Sequence, residues 1–250
     1  MIVIDVGNSK VKIAIFSKEE IEKKFIFDTY RCLEHEFLRR EVFGEVGENV
    51  IAFSSVVPEI TKGIVSISKK LKKRFLDVCK VKNKVLKINY DVAELGGDRL
   101  ANAVAAYKRY TPPVLVIDFG TATTYNIVLA DGTFDGGIIA PGIKTCIDFL
   151  IQNTGLLPEI PLKHPDAFLG HTTKDALISG FYYTFSGQMK EIFEKVQNHI
   201  GNDYTTVGTG GLVDFVLRTF PHIIPDKDLT LFGIKMLYDA NSEQMTDREQ

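Results

Sequence analysis

Two short stretches end an apolar run with an aspartate and place a glycine two positions later: "IVIDVGNSK" at residues 2–10 and "LVIDFGTAT" at residues 115–123. Glycine lets a backbone approach an anion closely, and the N–H groups of such a turn can cradle phosphate oxygens. A carboxylate beside phosphates calls for a cation between them, so Asp5 and Asp118 are candidates to organise Mg2+ or another cation. Asn8, Ser9, Thr121 and Thr123 carry side chains suited to donating hydrogen bonds to phosphate oxygens. One D-x-G after a strand is an ordinary turn; its recurrence within a repeated order of elements is what points to a polyphosphate ligand.

No G-x-x-x-x-G-K-[ST] loop occurs, and no G-x-G-x-x-G follows a strand. A third glycine element, "VGTGG" at 207–211, ends a strand and opens a helix. It suits either a nucleotide base or ribose lying on the backbone, or a plain helix-entry turn. The other stretch with chemical potential is "ELGGDRLANAVAA" at 94–106. Asp98 stands before a helical stripe, where it can serve as an N-cap or as a general base taking the proton of a substrate hydroxyl. Arg99 beside it opposes the helix dipole, a conflict that a bound carboxylate would resolve.

These residues need a scaffold of alternating strands and helices. The 250-residue chain is 45% hydrophobic and 25% charged, an ordinary globular composition for one large or two modest domains. Its net charge of -2 gives no footprint for nucleic acid or an anionic membrane. No spanning run and no leader-like start are evident, so a cytoplasmic location is expected. Cys32, Cys79 and Cys146 lack paired spacing and read as reduced thiols. The five histidines, His35, His164, His171, His199 and His222, share no spacing; only His171, close to Thr173, is a candidate to line a pocket.

Periodicity predicts βββαβαβα for the first half: strands in "IVID", "VKIAIF", "KKFIFDT", "VIAFSSVV" and "KVLKINY", with helices over "RCLEHEFLRREVF", from Pro58, and over "DRLANAVAAYKRY". The second half restarts with strands "PVLVIDFG", "TYNIVLA" and "TFDGGII". Helices at 142–153 and 172–199, strand "YTTVG", a helix over 212–219, a last helix "LTLFGIKMLYDA" and a frayed polar tail follow. The expected division is 1–112 and 113–250, two halves packed with a cleft between them.

The motifs "DVGNS", "SSVVPEI", "GGDRLANAVAA", "IDFGTATT", "GGIIAPG" and "TGG" followed by "DLTLFGIKMLY" occur in the order and spacing of the type III pantothenate kinases. The chain resembles that family from Asp5 to Tyr238. The resemblance implies an α/β fold of duplicated ribonuclease-H-like halves, as in actin, sugar kinases and heat-shock chaperone ATPases. It also implies phosphorylation of pantothenate by ATP, the first step towards coenzyme A, with Mg2+, a monovalent cation (K+ or NH4+) and a homodimer. By the same match, Asp5, Val6, Gly7, Asn8, Ser9, Lys10, Val11 and Lys12 form the first phosphate loop, with Asp5 nearest the metal, and Thr121 is a second ATP contact. Asp98 is the general base; Tyr90, Gly96, Gly97, Arg99 and Thr173 bind substrate, Thr173 across a dimer interface; Asp118 holds the monovalent cation. Gly180 and Gly187 would allow close helix packing.

Three positions depart from the family's pattern: Ser9 for Thr, Gly97 for Ala and Asn126 for Asp. The first keeps its hydroxyl, the second loosens the loop before the base, and the third removes a negative charge and so predicts weaker activation by potassium. Two alternatives stand beside the leading expectation: a kinase of another small hydroxy acid, and a non-catalytic accessory or regulatory protein of the same fold.

Overall fold

A computed structural model describes residues 1–43, 50–81 and 83–242. The chain divides into two compact units. One comprises Met1–Tyr110, Asp131–Asp135 and Asp228–Gln250; the other comprises Thr111–Ala130 and Gly136–Lys227. The break at 110/111 falls close to the expected 112/113, but the last helix groups with the first unit rather than the second.

In the first unit β1 (Ile2–Val6), β2 (Lys10–Ser17) and β3 (Glu20–Asp28) form an antiparallel meander. There follow α1 (Thr29–Cys32), α2 (His35–Phe37, continuing as a π turn over Leu38–Val42), β4 (Val50–Ser55), α3 (Pro58–Lys70) and β5 (Arg74–Asp77). Then come β6 (Lys87–Ile88) and α4 (Gly97–Arg109). The sheet order is β3-β2-β1-β4-β5, with β4 parallel to both neighbours. Because β1 is central and covered on both faces, it reads as a continuous apolar run, interrupted only by Asp5. Ile2, Ile4 and Val6 join Ile51, Phe53 and the α3 residues Ile60, Ile64 and Ile67 in one core. Val3 and Asp5, and likewise Ala52 and Ser54, alternate to the opposite face of the sheet. There α4 and the last helix, α8 (Leu229–Ser242), pack.

The predicted helix from Pro58 is present with proline at its first position, which costs no hydrogen bond there. The strand expected at "KVLKINY" is reduced to Lys87–Ile88, which pairs with Thr133 and Phe134 instead of completing the first sheet. The fifth strand is Arg74–Asp77, too short and too charged for its alternation to stand out. In "RCLEHEFLRREVF" Phe37 and Leu38 are buried while Leu33 lies on the surface, because the helix breaks after Cys32.

The second unit holds β7 (Val114–Phe119), β8 (Ala122–Val128), most of β9 (Thr133–Pro141), α5 (Ile143–Gln152), α6 (Thr173–Ile200), β10 (Thr205–Thr209), α7 (Val213–Leu217) and β11 (Ile224–Pro225). Its strand order is β11-β10-β7-β8-β9, with β6 added beyond β9. Numbered within each half, both sheets run 3-2-1-4-5. In each, the first strand is antiparallel to the second and parallel to the fourth. Leu115, Ile117 and Phe119 face Ile143, Phe185, Met189 and Ile192 in the core. The short β11 had no periodic signal in the sequence. No helix among the described residues is long and apolar enough to cross a membrane, and the polar tail lies largely outside them.

Candidate active site

The opening device of the first unit is a tight turn. Gly7 N–H donates to the Lys10 carbonyl at 2.9 Å, Thr29 Oγ1 to the Gly7 carbonyl at 2.8 Å, and Thr29 N–H to the Ser9 carbonyl at 3.1 Å. These bonds hold the turn from behind and leave Asn8, Ser9 and Lys10 at the surface. Val6 and Val11 are core residues, so only their backbone groups are available to a ligand. Lys10 pairs with Asp28 at 2.6 Å. Asp5 lies opposite Lys12 on β2 and opposite Ser54 on β4. Lys12 Nζ stands 3.9 Å from its carboxylate, and both side chains are mostly buried.

The second device repeats the arrangement. Asp118 lies opposite Thr124 on β8 and opposite Thr209 on β10. The turn closes through Gly120 N–H to the Ala122 carbonyl at 3.1 Å. The Thr121 carbonyl accepts from Gly142 N–H at 3.0 Å and from Thr145 Oγ1 at 2.6 Å. The third glycine element belongs to this site. Gly210 has φ +91°, and a Cβ there would fall within contact of Asp118 Oδ1 and 2.6 Å from Phe119 N. Thr209 Oγ1 is buried without a hydrogen-bond partner among the described residues. Thr123 is buried, as is Asn126, whose Nδ2 donates to Thr124 Oγ1 at 3.3 Å.

The "GGDR" segment opens α4. Gly96 is the N-cap, so Asp98 is the second helical residue rather than the cap, and its Oδ1 accepts from Arg99 N–H at 2.8 Å. A carboxylate in the first turn is favoured by the helix dipole. Gly96 leaves it room: a Cβ at that position would sit 2.6 Å from Asp98 Oδ1. Arg99 is 5% exposed, stacked over the Tyr90 ring at 4.9 Å and the Phe134 ring at 5.7 Å, and its Nη1 donates to Tyr90 Oη at 3.3 Å. Tyr90 and Arg99, paired in the sequence reading, thus meet. Phe134, which meets Tyr90 edge-on at 5.9 Å, was missed by that reading, because a phenylalanine in an apolar strand carries no chemical signature.

Thr173 opens α6 in the second unit, after the N-cap Thr172, whose hydroxyl accepts from Asp175 N–H at 3.1 Å. It lines an apolar cavity of about 660 Å3 between α5 and α6, with Ile143, Cys146, Leu177, Gly180 and Phe181. His171 lies outside that cavity, in a small recess with Asp166 and Asp175. Among the described residues, apart from the helix's own adjacent backbone, nothing approaches within 4 Å of where a Cβ on Gly180 or Gly187 would be, so no close helix packing is seen at these glycines there.

No group of three or more His, Cys, Asp or Glu residues gathers among the described residues. Asp118 with the buried, unpartnered Thr209 hydroxyl offers oxygen donors suited to a hard monovalent cation.

Two glycine turns, each next to an aspartate on a central strand, repeated in sheets of the same order, define a duplicated ribonuclease-H-like α/β protein of the actin and sugar-kinase class. Solved structures agree. The chain matches the activator of 2-hydroxyisocaproyl-CoA dehydratase from Clostridium difficile with bound ADPNP (TM-score 0.53, 10% identity, 100% of this chain and 98% of that one). It also matches MreB 5 of Spiroplasma citri bound to AMPPNP (TM-score 0.51, 8% identity, 98% of each). A Campylobacter jejuni protein described as a Baf family transcriptional activator matches at TM-score 0.63 and 22% identity, over 97% and 100% of the two chains. The family profile described as Type III pantothenate kinase matches residues 1–195. The type III pantothenate kinase of Brevibacillus brevis is 34% identical over 96% of this chain and 99% of its own, and that of Agathobacter rectalis is 35% identical over 95% and 96%. The chain belongs to the type III pantothenate kinase family.

Proposed function

We propose that this chain transfers the γ-phosphoryl group of ATP to the primary hydroxyl of pantothenate, giving 4'-phosphopantothenate for coenzyme A synthesis. Asp98 accepts the hydroxyl proton. The observation that carries the reading is the first turn of α4: Asp98 stands at the helix N-terminus with one carboxylate oxygen held by Arg99 N–H, and beside it Arg99 is buried in an aromatic seat that presents a fixed cation to a carboxylate substrate.

Phosphoryl transfer through a loose transition state depends on positioning and charge neutralisation more than on covalent help. The backbone of Gly7–Lys10 is offered to the phosphates, with Lys12 facing the Asp5 carboxylate at 3.9 Å. Asp5 would hold Mg2+ with the phosphates, and Asp118 with Thr209 would hold K+ or NH4+; bound there, these cations neutralise phosphate charge. Thr121, in the second turn, is the further ATP contact. A two-fold pair of chains completes the reading. The open faces of Gly180 and Gly187, the cavity beside Thr173 and the exposed Phe149 and Tyr183 support it.

The test is ADP release on adding pantothenate with MgATP and potassium, beside Asp98→Asn. Pantothenate-dependent turnover that falls ~10²- to 10⁴-fold in the variant is expected. An intact protein that binds ATP but shows no pantothenate-dependent turnover would move the assignment to another hydroxy acid or to an accessory role.

A further inference from the structure

Gly97, the residue before Asp98, is fully enclosed. A Cβ added there would fall within contact of Cys79 Sγ and stand 2.8 Å from Ser54 Oγ, with the Cys79 Cα at 3.6 Å. The space that a side chain at 97 would need is therefore filled from two different elements. Ser54 is 1% exposed on β4, and its strand-register partner on β1 is Asp5. Cys79 sits in the 3-10 turn Val78–Lys80, its backbone N–H held by Asp77 Oδ1 at 3.1 Å. The two side chains touch: Ser54 Oγ and Cys79 Sγ are 3.8 Å apart, and the thiol donates to the Ser55 carbonyl at 3.9 Å.

We infer that Ser54 and Cys79 are positioning residues for Asp98: together they form the seat on which the first turn of α4 rests, and Gly97 is glycine because that seat occupies its side-chain space. This deepens the pantothenate kinase reading and rests on it. The seat couples the two parts of the chemistry within the first unit. Ser54 lies beside Asp5 on the sheet and beneath Gly97 on the helix, so a shift of the turn changes the height of the base above the strand that carries the phosphate-side carboxylate. Cys79 is exposed as a residue, but the protein packed around its sulfur raises the thiol above its ordinary value, with the Ser55 hydrogen bond opposing; its part in the seat is one of shape.

The test compares wild type, Gly97→Ala, Cys79→Ala and Gly97→Ala/Cys79→Ala in the pantothenate assay, with circular dichroism on each. Gly97→Ala is expected to lose ~10- to 100-fold in kcat, the scale of an ångström-sized misplacement, with the KM for ATP unchanged. Cys79→Ala is expected to lose a few-fold in kcat as the turn settles, and the double variant to recover most of the Gly97→Ala loss, with the residual contact to Ser54 Oγ keeping it somewhat below Cys79→Ala alone. Wild-type kcat in Gly97→Ala, or a double variant as impaired as Gly97→Ala, overturns the inference. Should Gly97→Ala not fold, a Cys79→Ala variant with unchanged kcat, or a double variant that also fails to fold, does the same. Absence of pantothenate-dependent turnover in the wild type would instead refute the underlying reading, so the two failures are distinguishable.

Discussion

Replacing Gly210 by alanine tests whether the third glycine element exists to give the Asp118 carboxylate its place. With φ at +91°, an L-residue there carries a backbone penalty of ~1–2 kcal/mol. The added methyl would also meet Asp118 Oδ1 and lie 2.6 Å from Phe119 N. Phe119 N belongs to a central strand and cannot swing aside, so overpacking adds ~1–3 kcal/mol. The total is ~2–5 kcal/mol, relieved in part by pushing the Asp118 carboxylate out of place. Gly211 is the matched control, since nothing lies within 4 Å of a Cβ there. Urea unfolding and a potassium titration of turnover at constant ionic strength read the two parts of the cost. Gly210→Ala should be destabilised and should need ~10-fold more potassium for half-activation, the equivalent of ~1.4 kcal/mol at the cation. Gly211→Ala should stay within ~0.5 kcal/mol of wild type. Equal damage in both variants, or a Gly210→Ala protein with unchanged potassium response, would refute the reasoning.

Lys12→Met leaves the mostly buried Asp5 carboxylate without its ammonium at 3.9 Å and should raise the KM for MgATP about tenfold; an unchanged KM would remove Lys12 from the phosphate site. Asn126→Asp restores a negative charge in a fully buried position near Thr124 and should strengthen potassium activation, measured against choline; no change would detach Asn126 from the cation site. Lys235 is 5% exposed. Burial works to lower its pKa, but its 2.7 Å hydrogen bonds to Asp239 and Glu19 outweigh that, so the net shift is upward. A raised folded value stabilises below the unfolded value of about 10.5 and is lost as pH rises through the folded one, so the stability gap between wild type and Lys235→Met should close above that pH; a constant gap in pH-dependent urea unfolding would contradict this.

The central strands and the helices α3, α4 and α6 were legible because each carries a strong period. The D-x-G turns were legible because they repeat. The fold's edges were not. Arg74–Asp77 and Ile224–Pro225 are strands by virtue of the neighbours they pair with, and nothing in four or two residues encodes that. The last helix reads correctly as a helix but not as a member of the first unit. Its assignment depends on Gly233 lying against the Ala101 backbone of α4, a contact between positions far apart in sequence. The site was legible in its charged residues and silent in its packing partners. Asp98 and Arg99 stand out by charge and position, whereas Tyr90 is marked only by the family resemblance, Phe134 and Ser54 look like any other buried residue, and Cys79 looks like an ordinary surface thiol. Asp98 was open between cap and base; Gly96 holds the cap position, and the Asp98 carboxylate, in the first turn, accepts from the N–H of Arg99.

The duplicated sheets allow one further step of argument. Asp5 and Asp118 each stand one residue before the end of the first strand of their sheet, between an antiparallel and a parallel neighbour. The backbone positions correspond, so the difference in role must come from the residues opposite. Asp5 faces Lys12 and Ser54, and its charge is largely balanced before any ligand arrives. Such a site gains little by binding a bare cation but accepts a phosphate-bound metal without accumulating positive charge. Asp118 faces Thr124 and Thr209, hydroxyls that supply oxygen without charge. On the proposed function, the same scaffold position would serve two different ions through a lysine-to-threonine difference on the adjacent strand. Exchanging those residues, Lys12→Thr with Thr124→Lys, should abolish potassium activation while weakening MgATP binding, and a variant that kept both responses would show that the aspartates are not distinguished by their neighbours.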